Sequence, residues 1–181
     1  MVFWTISVTV LLLLAAVLYN SLVILRQRIR NSWSQVDIQL RRRYDLIPGL
    51  VEAFLGYAPQ EEKVVEKVTE ARARAASAQE VAEKTEAENL LAGALRAFFT
   101  AVENYPQLKA NQNFLNLRQE LSQAESKIAF SRQFYNDTVM KYNTRIRLFP
   151  VNLIAGLFGF KPEPYFQAGE QDVRRPVEIR S

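Results

Sequence analysis

Two tyrosine-asparagine pairs, Tyr135-Asn136 and Tyr142-Asn143, recur seven residues apart and so share one helical face. Phenol hydroxyls and amides at that spacing suit a polar ligand. They equally suit packing against a neighbouring helix with the polar atoms satisfying each other, which is the commoner arrangement and the one expected. Asp37, Arg41 and Asp45 stand at successive i,i+4 positions, the spacing of a solvent-exposed ion-pair ladder worth about a few tenths of a kcal/mol per pair. Glu62, Glu66 and Glu70 repel one another at the same spacing, with Lys63 and Lys67 beside them, and read as a solvated face. The chain has no cysteine and no histidine. That removes disulfides, thiolate nucleophiles, Cys/His zinc sites, His-ligated haem and Ser-His-Asp triads. "GLFG" at 156–159 lacks the Gly-Lys-Ser/Thr ending of a phosphate loop. No catalytic, cofactor-binding or metal-ligating residue is therefore singled out, no small-molecule substrate is identifiable, and the expectation is a protein without enzymatic activity.

The elements that position these residues begin with an anchor. From residue 1 to 25, "MVFWTISVTVLLLLAAVLYNSLVIL" carries no charged side chain, so all 23 basic and 19 acidic residues lie after it. At about 1.5 Å per residue this run spans a hydrocarbon core of roughly 30 Å, with Trp4 near one interface and Tyr19 near the other. A cleaved signal peptide would show a basic region ahead of the apolar run and a small-x-small site after it, and neither is present. An acylated lipoprotein anchor would need a cysteine. Arg26, Arg28 and Arg30 follow the span at once, and Arg41, Arg42 and Arg43 lie further on, so the positive-inside rule places the C-terminal part in the cytoplasm. This collar facing anionic headgroups accounts for the net charge of +4 better than nucleic acid does, since no recognition motif accompanies it.

Beyond the anchor the apolar residues recur at helical spacing and no segment reads as a strand. Ile29, Trp33, Val36, Leu40, Tyr44, Ile47, Val51 and Phe54 form one face of a long first helix, in which Pro48 predicts a kink rather than a stop. Gly56 closes that helix, and Pro59, Glu61 and Glu62 open a second, whose slim apolar side is Val64, Val68, Ala71 and Ala75. "SAQEVAEKTEAEN" reads as a polar loop or frayed turn before a third helix on Leu91, Leu95, Phe98 and Val102, ending at Tyr105-Pro106. A fourth helix, capped by Asn111 or Asn113, carries Phe114, Leu117, Leu121, Ala124, Ile128, Ser131, Tyr135, Thr138 and Tyr142, with Ile146 and Phe149 after a one-residue adjustment. Steps alternating three and four make this seam a heptad suited to knobs-into-holes packing.

Three blocks, "YNSLVILRQRIRNSWSQVDIQLRRRYDLIPGLVEAFLGYA", "ENYPQLKANQNFLNLRQELSQAESKIAFSRQFYNDTVMKYN" and "FPVNLIAGLFGF" with a following "YF", resemble the LemA family of bacterial membrane proteins over nearly the whole chain. The resemblance implies an N-out, single-pass anchor and an antiparallel bundle of long helices. It assigns no reaction, although some relatives are linked to specialised bacterial membranes. "APQEE" after Gly56-Tyr57-Ala58 departs from the histidine-containing form common there, which argues against a histidine role in this chain.

The expected architecture is all-α: residues 1–25 a transmembrane anchor, 26–149 an antiparallel four-helix bundle with long first and fourth helices, and 150–181 an apolar segment with a flexible C-terminal tail. Trp33, Leu40, Phe98, Phe114, Tyr135 and Tyr142 are the expected core. The first and fourth helices are long enough to bring 151–160 level with the headgroups, where Leu153, Ile154, Leu157, Phe158 and Phe160 would join Arg26, Arg28 and Arg30 at the bilayer. The expected role is a scaffold or interaction protein at the cytoplasmic face of the inner membrane, organising membrane and self-associating or binding another membrane protein. A carboxylate- or Tyr-dependent hydrolase and a signal-relay module are the alternatives. No cofactor and no nucleic acid are expected.

Overall fold

From Val2 to Leu55 a single helix, α1, runs without interruption because nothing in that stretch breaks it except Pro48, and Pro48 is accommodated. A proline here withdraws the amide that would bond the Tyr44 carbonyl. That carbonyl is taken up by Arg72, whose Nε donates to it at 2.7 Å, so the orphaned acceptor is satisfied from another helix. The computed structural model describes residues 1–167, and the part of the expected tail beyond 167 lies outside the described residues. After α1 come α2 (Glu62–Ser77), α3 (Val81–Val102), the short α4 (Pro106–Lys109), α5 (Gln112–Arg145) and α6 (Val151–Leu157). No strand occurs among the described residues, so the fold is all-helical. Asn111 caps α5, its Oδ1 accepting from the Phe114 amide at 3.1 Å.

The chain divides into two compact units. The first comprises Met1–Asp37 and Phe130–Tyr165. Its core joins Leu22, Ile29 and Val36 of α1, Tyr135, Val139, Tyr142 and Ile146 of the α5 region, and Val151 and Ala155 of α6, all buried. Trp33 is half-buried, its ring 5.3 Å from that of Tyr135.

The second unit comprises Ile38–Ala129 together with Phe166 and Gln167. There α2 packs on α3. Leu40, Phe54, Leu91, Phe98, Phe114 and Leu121 are among its buried apolar side chains, and the Phe54 ring lies 4.9 Å from Phe98 and 5.6 Å from Tyr105.

Several expectations need correction. Most of the polar stretch read as a loop is the first part of α3, which begins at Val81. It is helical because its Lys84 and Glu88 continue the Leu91–Leu95–Phe98 face inward and are both buried. Arg43 does not face headgroups: it is 5% exposed and pairs with Glu88, whose other oxygen accepts from the Tyr44 hydroxyl. Burial of a guanidinium is tolerated there because a carboxylate and a phenol come with it. The second helix begins at Glu62, so Pro59 lies ahead of it rather than in its first turn. Phe149 leaves the seam and is 80% exposed, because α5 ends at Arg145.

Candidate membrane-interface site

The segment 148–160 owes its shape to its last glycine. Pro150 caps α6, and at the far end Gly159 adopts φ +68°, a left-handed conformation that costs a residue without Cβ little. The Phe160 amide then bonds the Ala155 carbonyl at 2.9 Å and the Gly159 amide bonds the Gly156 carbonyl at 3.4 Å. These are the two bonds of a Schellman ending, and they turn the chain back on itself. The reversal carries Phe158 and Phe160 onto Tyr19, with ring centroids 4.8 and 5.7 Å away. Tyr19 belongs to the apolar part of α1, so the second apolar run is joined to the first by aromatic contact.

Leu153, Leu157 and Phe158 are 62, 78 and 56% exposed, whereas Ile154 and Phe160 are half-buried. A groove of about 250 Å³ beside the aromatic cluster is lined by Tyr19, Val23, Arg26, Arg30, Phe158 and Phe160 among others. Of the expected lipid-facing arginines, Arg30 lines this groove, Arg28 lies elsewhere on α1, and Arg26 is partly neutralised by Glu163, its Nε 3.2 Å from Oε1.

Past the reversal, residues 161–165 run without secondary structure as a strap along α5. The Tyr142 hydroxyl donates to the Lys161 carbonyl at 3.0 Å and the Tyr135 hydroxyl to the Pro164 carbonyl at 2.8 Å. Asn143 holds both sides of Glu163, donating to its carbonyl and accepting from its amide, each at 2.9 Å. Pro162 and Pro164 have no amide hydrogen to satisfy, so the Glu163 amide is the one donor between them, and Asn143 receives it. Burial pushes the Tyr135 phenol up to about 12, with the nearby Glu163 charge adding to the effect. Burial also raises Tyr142, opposed by Arg26 and reinforced by Glu163. Both phenols are therefore donors at neutral pH.

The tyrosine-asparagine face thus does bind a polar ligand, and the ligand is the chain's own backbone. Tyr135, Tyr142 and Asn143 are brought together on it, while Trp33 packs at its edge through Tyr135. Leu40, Phe98 and Phe114 are buried in the second unit and take no part. The reversal and the strap were missed by the periodicity argument, yet "GF" after an apolar helix and the alternating prolines of "KPEPYF" are visible signals for both.

Among the described residues one helix, α1, is long and apolar enough to cross a membrane. Its Phe3, Trp4, Leu11, Leu12 and Leu13 side chains are all exposed. No cluster of three or more Asp or Glu able to hold a metal occurs among the described residues. Magnetosome protein MamQ 2 of Paramagnetospirillum magneticum is 25% identical to this chain over 205 residues, covering 97% of it and 75% of that protein. Protein LemA of Metamycoplasma hominis is 27% identical over 157 residues, covering 83% of this chain and 69% of its own length. Magnetosome protein MamQ of Magnetospirillum gryphiswaldense is 24% identical over 187 residues, covering 87% and 69%. The apolar helix supports membrane association. A profile of the LemA family matches residues 32–180, which takes in the described chain from the second half of α1 onward, and the protein belongs to the LemA family.

Proposed function

We propose that the protein is a membrane-anchored helical scaffold, without enzymatic activity of its own, at the cytoplasmic face of a bacterial inner membrane. Residues 1–25 cross the bilayer, and 26–149 form an antiparallel four-helix bundle with coiled-coil-like seams. The segment 151–160 lies in the interface beside the arginine collar. The observation that carries this reading is the tilted and edge-on packing of Phe158 and Phe160 against Tyr19. It ties an exposed apolar helix to the end of the membrane-spanning run, where Leu153, Leu157 and Phe158 have lipid as their natural neighbour. The only buried carboxylate among the described residues, Glu88, is committed to Arg43 and Tyr44, which favours a structural over a hydrolytic use of it. A tether to one bilayer raises the local concentration of copies and of other membrane proteins, which makes self-association or partner binding efficient.

The test uses the absence of native cysteine. Ser7→Cys and Gln79→Cys are labelled with an impermeant thiol reagent in intact cells, after outer-membrane permeabilisation where needed, and the first but not the second should react. A nitroxide on Leu157→Cys in the full chain, reconstituted in liposomes, should show the oxygen and nickel-chelate accessibilities of the acyl-headgroup boundary. Labelling of Gln79→Cys alone would reverse the orientation, and water-like accessibility at 157 would remove the second apolar run from the membrane. Crosslinking of the anchored chain in its own membrane should trap copies of itself or another membrane protein, and a purely monomeric product would end the scaffold reading.

A further inference from the structure

On the first unit a second groove, of about 630 Å³, lies away from the aromatic cluster. Val17, Ser21 and Leu25 of α1 line it towards the apolar end, and Arg28, Lys141 and Arg145 supply its charge. A cavity of about 320 Å³ shares Leu25, Arg28 and Lys141 and continues along Ser32, Phe134 and Thr138. The α1 residues recur at helical spacing, as do Phe134, Thr138, Lys141 and Arg145 of α5, so one face of each helix borders a single trough.

Two features of this trough point to an occupant. No carboxylate lines either part of it. Among the described residues no ion pair engages Arg28, Lys141 or Arg145, all three of them exposed, whereas Arg26 is answered by Glu163. Three unanswered cations within one trough repel one another and lower their cost by taking up an anion. Arg145 gains something from the negative end of the α5 dipole, but Lys141 and Arg28 do not. The second feature is polarity along the trough. Its cations adjoin Val17, Ser21 and Leu25, which belong to the apolar run itself. An occupant with charge at one end and hydrocarbon at the other matches both.

We propose that this trough is a specific site for an anionic phospholipid whose headgroup carries two phosphates, with the phosphates on Arg28, Lys141 and Arg145 and an acyl chain along Val17, Ser21 and Leu25. It rests on the membrane-anchored reading above and deepens it: the bilayer is a ligand here as well as a solvent. Two phosphates fit better than one because three cations converge, and basic pockets beside spanning helices take such headgroups.

The full chain in detergent is titrated with cardiolipin, phosphatidylglycerol and phosphatidylcholine, and bound lipid is counted by native mass spectrometry. One cardiolipin should be retained with roughly tenfold preference over phosphatidylglycerol at equal phosphate. Arg28→Gln, Lys141→Gln and Arg145→Gln together should reduce retention to the phosphatidylcholine level. Lys63→Gln, Lys67→Gln and Arg147→Gln, the same loss of charge on exposed cations outside the trough and outside the arginine collar, should leave it within about twofold, since screened distant charges contribute little. Circular dichroism checks the fold of each variant. If the trough triple is not helical, Lys141→Gln alone, on an exposed side chain, should still weaken retention several-fold.

Equal loss in the two triples overturns the site in favour of general electrostatics and leaves the anchored reading standing, provided the full chain still floats with liposomes. Failure to float overturns that reading and the site with it. Displacement of cardiolipin by millimolar inorganic phosphate would make the trough a site for the free ion, and retention of an acidic peptide in preference to cardiolipin would make it a protein interface. Either result overturns the lipid assignment.

Discussion

Glu88→Ala isolates the cost of a buried charge in this fold. The side chains of Arg43 and Glu88 are 6 and 2% exposed, so the pair is shielded from water. The Tyr44 hydroxyl has a second acceptor, the Ala75 carbonyl at 3.2 Å, and can turn to it when the carboxylate is gone. Arg43 has no such recourse: its Nε already lacks a partner, and among the described residues Glu88 is the one group that balances its charge. The expected loss is about 3–5 kcal/mol, the range for breaking a buried pair from one side. That is a large part of the roughly 5–15 kcal/mol that holds a domain folded. Glu88→Gln keeps the shape and an acceptor while removing the charge, and should fall between Glu88→Ala and the native chain. Replacing both partners, Arg43→Met with Glu88→Leu, removes the uncompensated cation and should be close to neutral, within about 1 kcal/mol. Denaturant unfolding of the full chain in mild detergent, followed by helical circular dichroism, orders the four proteins. If the double replacement is as damaging as Glu88→Ala, the loss does not come from stranding Arg43 and the reasoning fails; a loss below about 1 kcal/mol for Glu88→Ala would show that the guanidinium reaches water instead.

Three further outcomes follow from the first unit. Trp33→Ala should cost about 2 kcal/mol rather than the roughly 3–5 typical of a fully buried tryptophan, because only part of the ring is covered; the same unfolding assay measures it, and an unchanged midpoint would remove Trp33 from the core. Gly159→Ala should destabilise by about 1 kcal/mol through its φ of +68° alone, since nothing lies within 4 Å of the added methyl, while Gly156→Ala, equally open but helical, should stabilise by roughly 0.5 kcal/mol; opposite signs are the check. Tyr135, with its phenol raised from 10.0 to about 12, is protonated in the fold where the unfolded chain has begun to ionise, so its contribution is complete below pH 10 and disappears as pH climbs towards 12. Unfolding measured across that alkaline window should show a steeper fall for the native chain than for Tyr135→Phe, and parallel curves would contradict the raised value.

Periodicity carried a long way where burial and apolarity coincide. Of the α5 seam, Phe114, Leu121, Ala124, Ile128, Tyr135, Thr138 and Tyr142 are buried, while Leu117 and Ser131 are only half-buried. It failed where a core position holds a charge. Stepping back from Val102 by four and three passes Phe98, Leu95 and Leu91 and arrives at Glu88 and Lys84, but a polar stretch reads as loop when burial is judged by residue type. In α1, steps from Val36 through Leu40 lead to Arg43, Ile47, Leu50 and Phe54 as readily as to Tyr44, and Arg43 beside Arg41 and Arg42 looks like surface. Each of these residues is intelligible only with its partner from the other helix in view. The interface site divides in the same way. Its apolar members were legible from composition, whereas the contact with Tyr19 depends on a left-handed glycine and on a strap that no periodicity describes.

That strap places an unusual demand on future sequence change. What α5 grips between Lys161 and Pro164 is three carbonyls and one amide, atoms that every substitution leaves in place except a proline at 163, which would remove the amide hydrogen. Glu163 answers Arg26 and the two prolines withhold competing donors, which leaves the Lys161 side chain as the freely replaceable one of these four. An inserted or deleted residue is another matter, because it would present Asn143 with a proline nitrogen where it now meets an amide. Length therefore constrains this segment as tightly as spelling does, because the register of its one amide must be kept as well as its charge and its prolines.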